Sequence, residues 1–262
     1  MLPNNFLPYL VKKENLIRLG PKYDGGYIVH KKTLSKITKI ITFGLNDDWN
    51  FEKDFLKKNR LCKVVAYDHT IDHKFWMTYN LNNIINFFLL KKLTIRKIIN
   101  MFKYIDYLIF FSFPNQHILK KIGIRNNHKE ISVTKIFNKI KKNEKIILKI
   151  DIEGDEYKIL RQVSNIQTLI DHLIIEFHNV GKNISKVKSF IKKNNFLKLI
   201  HIHANNFGLI KNKIPDVLEM TFVNKKNYKI KNNKSIYKYP IRGLDYPNHS
   251  KKDDIFLNFN EK

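Results

Sequence analysis

The chain has 262 residues, of which 43% are hydrophobic and 13% aromatic, enough to bury the core of one α/β domain and too apolar for disorder throughout. Its 49 lysines and arginines against 23 acids give a formal charge of +26. Only Arg18, Arg60, Arg96, Arg125, Arg161 and Arg242 are arginine, and the lysines are spread along the whole length, so no specific nucleic-acid partner follows from charge.

The single cysteine, Cys62, excludes an internal disulfide framework and any multi-cysteine metal site, and reads as a buried thiol. Residues 1–5 lack the basic start and apolar run of a secretory signal, and no apolar run reaches the ~18 residues of a membrane span. The expected location is cytoplasmic.

Residues 16–19 and 27–29 are β-prone runs around Asp24-Gly25-Gly26, a hairpin signal whose glycines let backbone approach a ligand. Residues 37–43 read as the first strand of a nucleotide-type fold, ending in Gly44-Leu45-Asn46-Asp47-Asp48-Trp49. A helix is predicted from about Asn50, with Phe51, Phe55 and Leu56 on one face. Such a glycine turn lets a cofactor lie against the backbone at a helix N-terminus. Residues 63–67 form the second strand. Asp68 at its tip stands 24 residues after Gly44, near the ~20 expected of a ribose-binding carboxylate.

Residues 80–113 interrupt this alternation as a helical insertion, with Ile95, Ile98, Ile99 and Phe102 on one face and Arg96, Lys97 and Lys103 on the other. Its roles are a cover over the site, an oligomer face, or a peripheral contact with an anionic membrane. Residues 119–124 are predicted as the third strand and 131–140 as a helix.

The densest signal is 145–160, KIILKIDIEGDEYKIL. It reads as a strand buried on both faces of a parallel sheet, a carboxylate-rich turn, and a helix. Asp151 and Glu153 fall at the carboxyl end of that strand, where ligands sit in open α/β sheets. Asp155 and Glu156 read as acids of the first helical turn. Residues 172–177, 196–202 and 217–223 complete the strands, with 184–190 helical. Glu176, His178 and Asn179 end the fifth strand, and His201 and His203 share a face of the sixth. The tail, about 225–262, is irregular, with 244–259 folding back as an extended segment. No repeat or linker divides the chain, so 1–262 is expected to be one domain.

LKIDIEGDEYKIL resembles the signature of the FkbM-type S-adenosylmethionine-dependent methyltransferases, K-I-D-hydrophobic-E-G-x-E at the tip of the fourth strand. DGGYIV, ITFGLNDDWNFE, VVAYDHT, LIIEFHNV and HIHANN follow the family's other landmarks in order, from about Arg18 to Phe222. The first turn departs from the family, reading F-G-L-N-D-D in place of D-x-G-x-x-x-G.

The resemblance implies an α/β, Rossmann-like seven-stranded methyltransferase sheet with helices on both faces and one antiparallel strand near an edge. It implies S-adenosylmethionine across the carboxyl ends of strands one, two and four. Gly44 and Asn46 would approach it at the first turn, Asp68 would accept from the ribose hydroxyls, and His69 or Thr70 would border the adenine. Asp24, Gly25 and Gly26 would close over the methionine end.

Methyl transfer from a sulfonium is mainly a positioning task, with a base needed when the acceptor is a hydroxyl. Asp151 is assigned to orienting the sulfonium or the acceptor, Glu153 to the acceptor side, and His178 and His203 to supplying a base. These residues, with Glu176 and His201, have the donor types of a divalent metal site, but no metal is assigned. The expected activity is O-methylation of a glycan, nucleotide sugar or small hydroxylated metabolite. The competing expectation is a non-catalytic methyltransferase-fold protein binding at an anionic or membrane surface. A nucleic-acid methyltransferase is disfavoured, because an Asn-Pro-Pro-Tyr-type loop and aromatic-interleaved basic patches are missing.

Overall fold

The computed structural model describes residues 1–89, 102–141, 143–228, 230 and 232–260. In chain order, β1 (Leu16–Leu19) and β2 (Tyr27–His30) form an antiparallel hairpin. β3 (Lys39–Phe43), α1 (Asn50–Lys58), β4 (Lys63–Tyr67), α2 (His73–Leu89) and α3 (Lys103–Phe110) follow. Then come β5 (Gln116–Ile118), β6 (Lys121–Gly123), β7 (Glu130–Ser132), α4 (Val133–Phe137), β8 (Ile146–Ile150) and α5 (Glu156–Asn165). β9 (Ile170–Phe177), α6 (Val180–Lys193), β10 (Leu197–Ala204), β11 (Ile210–Lys211), β12 (Ile214–Pro215) and β13 (Leu218–Asn224) complete the set.

Seven strands make the central sheet, in the order β10-β13-β9-β8-β3-β4-β5. β13 is antiparallel to both its neighbours, and the other pairings are parallel. The chain leaves β3 toward β4 and β5, then returns to β8 on the other side. The crevice beyond the carboxyl ends of β3 and β8 is therefore the switch point at which open α/β sheets bind ligands.

Every residue of β8, β9 and β13 is buried, which explains why apolar residues predominate in them. Ile41, Phe43, Leu148 and Ile150 join one core cluster, and Ile40, Val64, Ala66 and Ile147 join the other. Alternate strand residues thus feed opposite faces. α5 and α6 cover the first face with Ile159, Val163, Val187 and Phe190, and α1 covers the second with Phe51 and Phe55. Each such fully buried side chain contributes about 1.5–3 kcal/mol of apolar burial. Cys62 is buried and free, its thiol pushed up to about 12 by burial.

Three sequence expectations need correction. The third sheet strand is Gln116–Ile118, not 119–124, and among the described residues it pairs only with β4. Leu119 and Ile124 are exposed, and Lys121–Gly123 instead pairs with Glu130–Ser132 in a separate two-stranded sheet. An edge strand with a polar sequence gives no apolar run to read. The helix expected over 131–140 is only Val133–Phe137, because Ser132 closes a strand and its side chain caps the helix, accepting from Lys135 N.

The helical region also begins earlier than residue 80, at His73. The face assigned to Ile95, Ile98 and Ile99 lies outside the described residues. Around that gap, Trp76 packs on Tyr104 and Tyr107 at centroid distances of 5.0 and 4.9 Å, and Trp49 Nε1 donates to Asp106 at 3.0 Å. The C-terminal segment is irregular but pinned, with bridges Leu2↔Phe259, Tyr9↔Lys234 and Tyr239↔Leu257. Among the described residues, no helix is long and apolar enough to cross a membrane.

Candidate active site

A cavity of about 840 Å³ opens at the switch point, well within the ~300–1,000 Å³ of small-molecule sites. Asp24, Gly25, Gly44, Asn46, Asp68, His69, Thr70, Asp151, Glu153 and His178 all line it. Ten of the twelve residues expected from the sequence therefore meet in one place. Gly26 and His203 do not line it.

Gly44 sits where two strands nearly touch. Its φ is +78°, and a Cβ there would fall 1.6 Å from the carbonyl oxygen of Asp151. Only glycine permits this approach. The turn is fixed on both sides, because Gly44 N donates to Tyr67 O at 3.0 Å and Asp151 N to Phe43 O at 2.8 Å.

Asp68, at the tip of β4, organises the same turn. Its Oδ2 accepts from Leu45 N at 2.7 Å and Asn46 N at 3.0 Å, and its Oδ1 accepts from Thr70 N at 2.7 Å and Thr70 Oγ1 at 2.6 Å. Burial opposes the charge, yet the Thr70, Leu45 and Asn46 donors outweigh it and hold the carboxyl below its usual range. A ribose hydroxyl would reach this carboxylate by replacing the Thr70 hydroxyl, since a carboxylate has about four acceptor positions.

At the tip of β8, Asp151 shares the Tyr27 hydroxyl with Glu176, at 3.4 and 3.2 Å. Burial pushes the Asp151 carboxyl up to about 6, against the pull of Lys149 and His178. Burial, then the charges of Asp151, Glu219 and Asp24, push Glu176 well above the carboxylate range. Both of its oxygens accept, Oε2 from the Tyr27 hydroxyl at 3.2 Å and Oε1 from Asn205 Nδ2 at 2.9 Å.

Below them Lys149 is buried, 3.7 Å from Glu52 and over the Tyr27 ring at 5.2 Å. Its pKa is raised: burial disfavours its charge, but Glu52, Asp151 and Asp48 outweigh that.

His178 follows β9. Its Nδ1 lies 3.1 Å from Glu156 Oε1, which also accepts from Ile152 N and Gly154 N. Burial alone would lower its pKa; Glu156, Asp151 and Glu153 together raise it. Asp151, Glu153 and His178 each present one donor atom within 4.8 Å of the others, a set able to hold a cation.

His203 corrects the expected catalytic set. It is 1% exposed and lies between Glu219 at 3.3 Å and Asp254 at 3.0 Å. Burial is outweighed by those two carboxylates, and its pKa rises to about 10. Two carboxylates hold its charged form and it does not line the cavity, so it is not placed to take a proton from substrate; it binds the C-terminal segment to the sheet. His201 does the same with Asp245 at 3.0 Å. A Cβ on Gly26 would meet Pro21 O at 2.1 Å and the Arg18 guanidinium at 2.7 Å, so its small size serves the hairpin turn.

Sequence reasoning missed Tyr27, Lys149 and Asn205 as lining residues, and the hold of Glu156 on His178. A lysine inside an otherwise apolar buried strand was the readable signal for Lys149, since such a charge needs partners. Tyr27 and Asn205 gave no local signal.

The lining contains Asp24, Asp48, Asp68, Asp151, Glu153, Asp155 and Glu176 against Lys120, Lys121 and Lys149, in a chain whose net charge is +26. So acidic a cleft in so basic a protein fits a cationic ligand, and a sulfonium nucleoside with its amino group meets that description.

No curated protein sequence matches the chain. Among solved structures it is similar to the fibrillarin pre-rRNA processing protein of Methanococcus jannaschii, at 11% identity and a TM-score of 0.37 over 73% of this chain and 68% of that one. An rRNA methylase from Streptococcus thermophilus is 10% identical, with a TM-score of 0.38 over 74% and 90% of the two chains. A precorrin-6y C5,15-methyltransferase from Geobacter metallireducens GS-15 is 6% identical, with a TM-score of 0.37 over 72% and 81%. Scores this low carry nothing about reaction or acceptor. Residues 102–198, which contain Asp151, Glu153, Glu156, Glu176 and His178, match the family model of the methyltransferase FkbM domain. That match spans 97 of the 262 residues, and it supports S-adenosylmethionine-dependent methyl transfer.

Proposed function

We propose that the protein O-methylates a small hydroxylated acceptor, either a free metabolite, a nucleotide sugar or a glycan unit. The observation that supports this most is the pairing, in one cavity, of a donor-side turn (Gly44, Asn46, Asp68) with an opposite rim of Asp151, Glu153 and His178. S-adenosylmethionine supplies the sulfonium-activated methyl group. Asp68 holds the turn that carries its nucleoside, and Asp151 faces the positive sulfur. Glu153, 84% exposed at the rim, faces an incoming hydroxyl. His178 is steadied by Glu156 between the two.

Calorimetric titration with S-adenosylmethionine should give one saturable site, weakened at least tenfold by Asp68→Ala. Transfer of labelled methyl groups to hydroxylated saccharides or nucleotide sugars, and not to RNA, is expected. Label found only in RNA would overturn the acceptor class.

An anionic lipid surface is a second proposed partner. Met77, Leu81 and Ile85 expose apolar side chains at four-residue spacing on α2, and Phe102, Ile105 and Ile109 do so around α3, in a chain of charge +26. Co-sedimentation with anionic vesicles and not with neutral ones is the expected result.

A further inference from the structure

We infer that the cavity binds a divalent cation between His178, Asp151 and Glu153, an inference that rests on the hydroxyl-acceptor reading above. His178 is the pivot. Its Nδ1 faces Oε1 of Glu156 at 3.1 Å, and Glu156 is wholly buried and itself fixed by two backbone N–H groups at 3.1 Å. With the Nδ1 proton donated there, the Nε2 lone pair is free for the cavity. Among the described residues Nε2 makes no hydrogen bond. Three carboxylate oxygens surround it: Glu153 Oε2 at 3.4 Å, Glu176 Oε1 at 3.8 Å and Asp151 Oδ1 at 3.9 Å.

A carboxylate on the far nitrogen is the usual way a protein presents an imidazole to a metal. A second observation does not depend on the count of acids. Asp151 Oδ1 is a buried atom with no hydrogen-bond partner, while the other oxygen of the same carboxylate reaches Tyr27. A buried acceptor left unmet costs about 1–3 kcal/mol, more when charged. A cation beside Nε2 would satisfy it.

The spacing is suitable. The three donor atoms lie within 4.8 Å of one another. Adjacent oxygens around a six-coordinate cation at ~2.1 Å stand about 3 Å apart, and opposite ones about 4.2 Å. Rotation of the exposed Glu153 side chain supplies that contraction. One imidazole with carboxylates suits Mn²⁺, Mg²⁺ or Fe²⁺. The cation would offset the crowding of Asp24, Asp151 and Glu176 in one cavity wall. It would also offer open positions to the acceptor oxygen. There the acceptor loses its O–H proton to solvent, and its O–CH₃ bond forms as the C–S bond of the sulfonium breaks, the electron pair staying on sulfur.

Titration of the chelator-treated full chain with Mn²⁺, followed by the electron paramagnetic signal of the free ion, reads the site without S-adenosylmethionine or acceptor. One ion per chain is expected, bound at least tenfold more weakly by Glu153→Gln and by His178→Gln. Glu153 is exposed, so its variant keeps the wild-type melting temperature. Absence of a saturable Mn²⁺ site in the wild type, or unchanged affinity in both variants, overturns the proposal. Mn²⁺ binding without S-adenosylmethionine binding would overturn the methyl-transfer reading and leave the cation site standing.

Discussion

Asn248 and Asp24, 224 residues apart, meet through a 2.9 Å hydrogen bond from Nδ2 to Oδ1. The same Nδ2 donates at 2.6 Å to Glu219 on β13. The C-terminal segment therefore braces the hairpin turn that lines the cavity, and an irregular tail becomes part of the site's wall. Asn248→Ala removes both donors and leaves the buried Glu219 carboxylate short of a partner. The expected loss is about 1–3 kcal/mol of stability, read from a urea transition, with weaker S-adenosylmethionine binding by calorimetry. Unchanged values for both would show that the brace is incidental.

Gly44→Ala tests the closest approach in the sheet. The added methyl would enter the Asp151 carbonyl at 1.6 Å while the backbone stays at φ +78°. A left-handed conformation alone costs an L-residue roughly 1–2 kcal/mol, and the clash must also push β3 and β8 apart. A fall in melting temperature together with loss of S-adenosylmethionine binding is expected. A variant that binds normally would mean that the turn can shift without cost.

His203 makes a stability prediction with a definite sign. Its folded pKa, about 10, lies above the 6.5 of the unfolded chain. The folded state therefore holds a proton that the unfolded state has lost between those values. The stabilisation is complete below about pH 6.5 and drains as pH rises toward 10, at up to about 1.4 kcal/mol per pH unit. Melting temperature should fall over that interval in the wild type, and the slope should flatten in His203→Gln. An equal slope in both proteins would remove His203 from the account.

Much of the scaffold was legible because its signals are local. Residues 64–67 and 146–148 are apolar runs, and both lie in parallel strands of the central sheet. The turn glycines and strand-tip acids follow those strands directly, so Gly44, Asp68, Asp151 and Glu153 were readable. What escaped was set by distant packing. His203 has the same chemistry as His178, and only the approach of Asp254 and Glu219 turns it into a structural cation. Tyr27 looked like an ordinary strand residue until the fold brought Glu176, 149 residues away, to its hydroxyl. The edge strand Gln116–Ile118 was hidden because one neighbour and little burial place few demands on its side chains.

Glu153 holds φ at +55°, a conformation that glycine adopts freely and a glutamate does not. Its side chain is 84% exposed, so packing gives no reason for a glutamate there. Glu153→Gly should relieve strain and leave stability unchanged or raised by up to about 1 kcal/mol, after the added flexibility of the unfolded chain is counted. Turnover should nonetheless fall at least tenfold, because the carboxylate nearest His178 Nε2, at 3.4 Å, is gone. Melting temperature and methyl-transfer rate measured on the same preparation decide the matter. A variant both more stable and fully active would reduce Glu153 to a turn residue. Stability gained with activity lost would show that the strain is maintained because a carboxylate is needed at that rim.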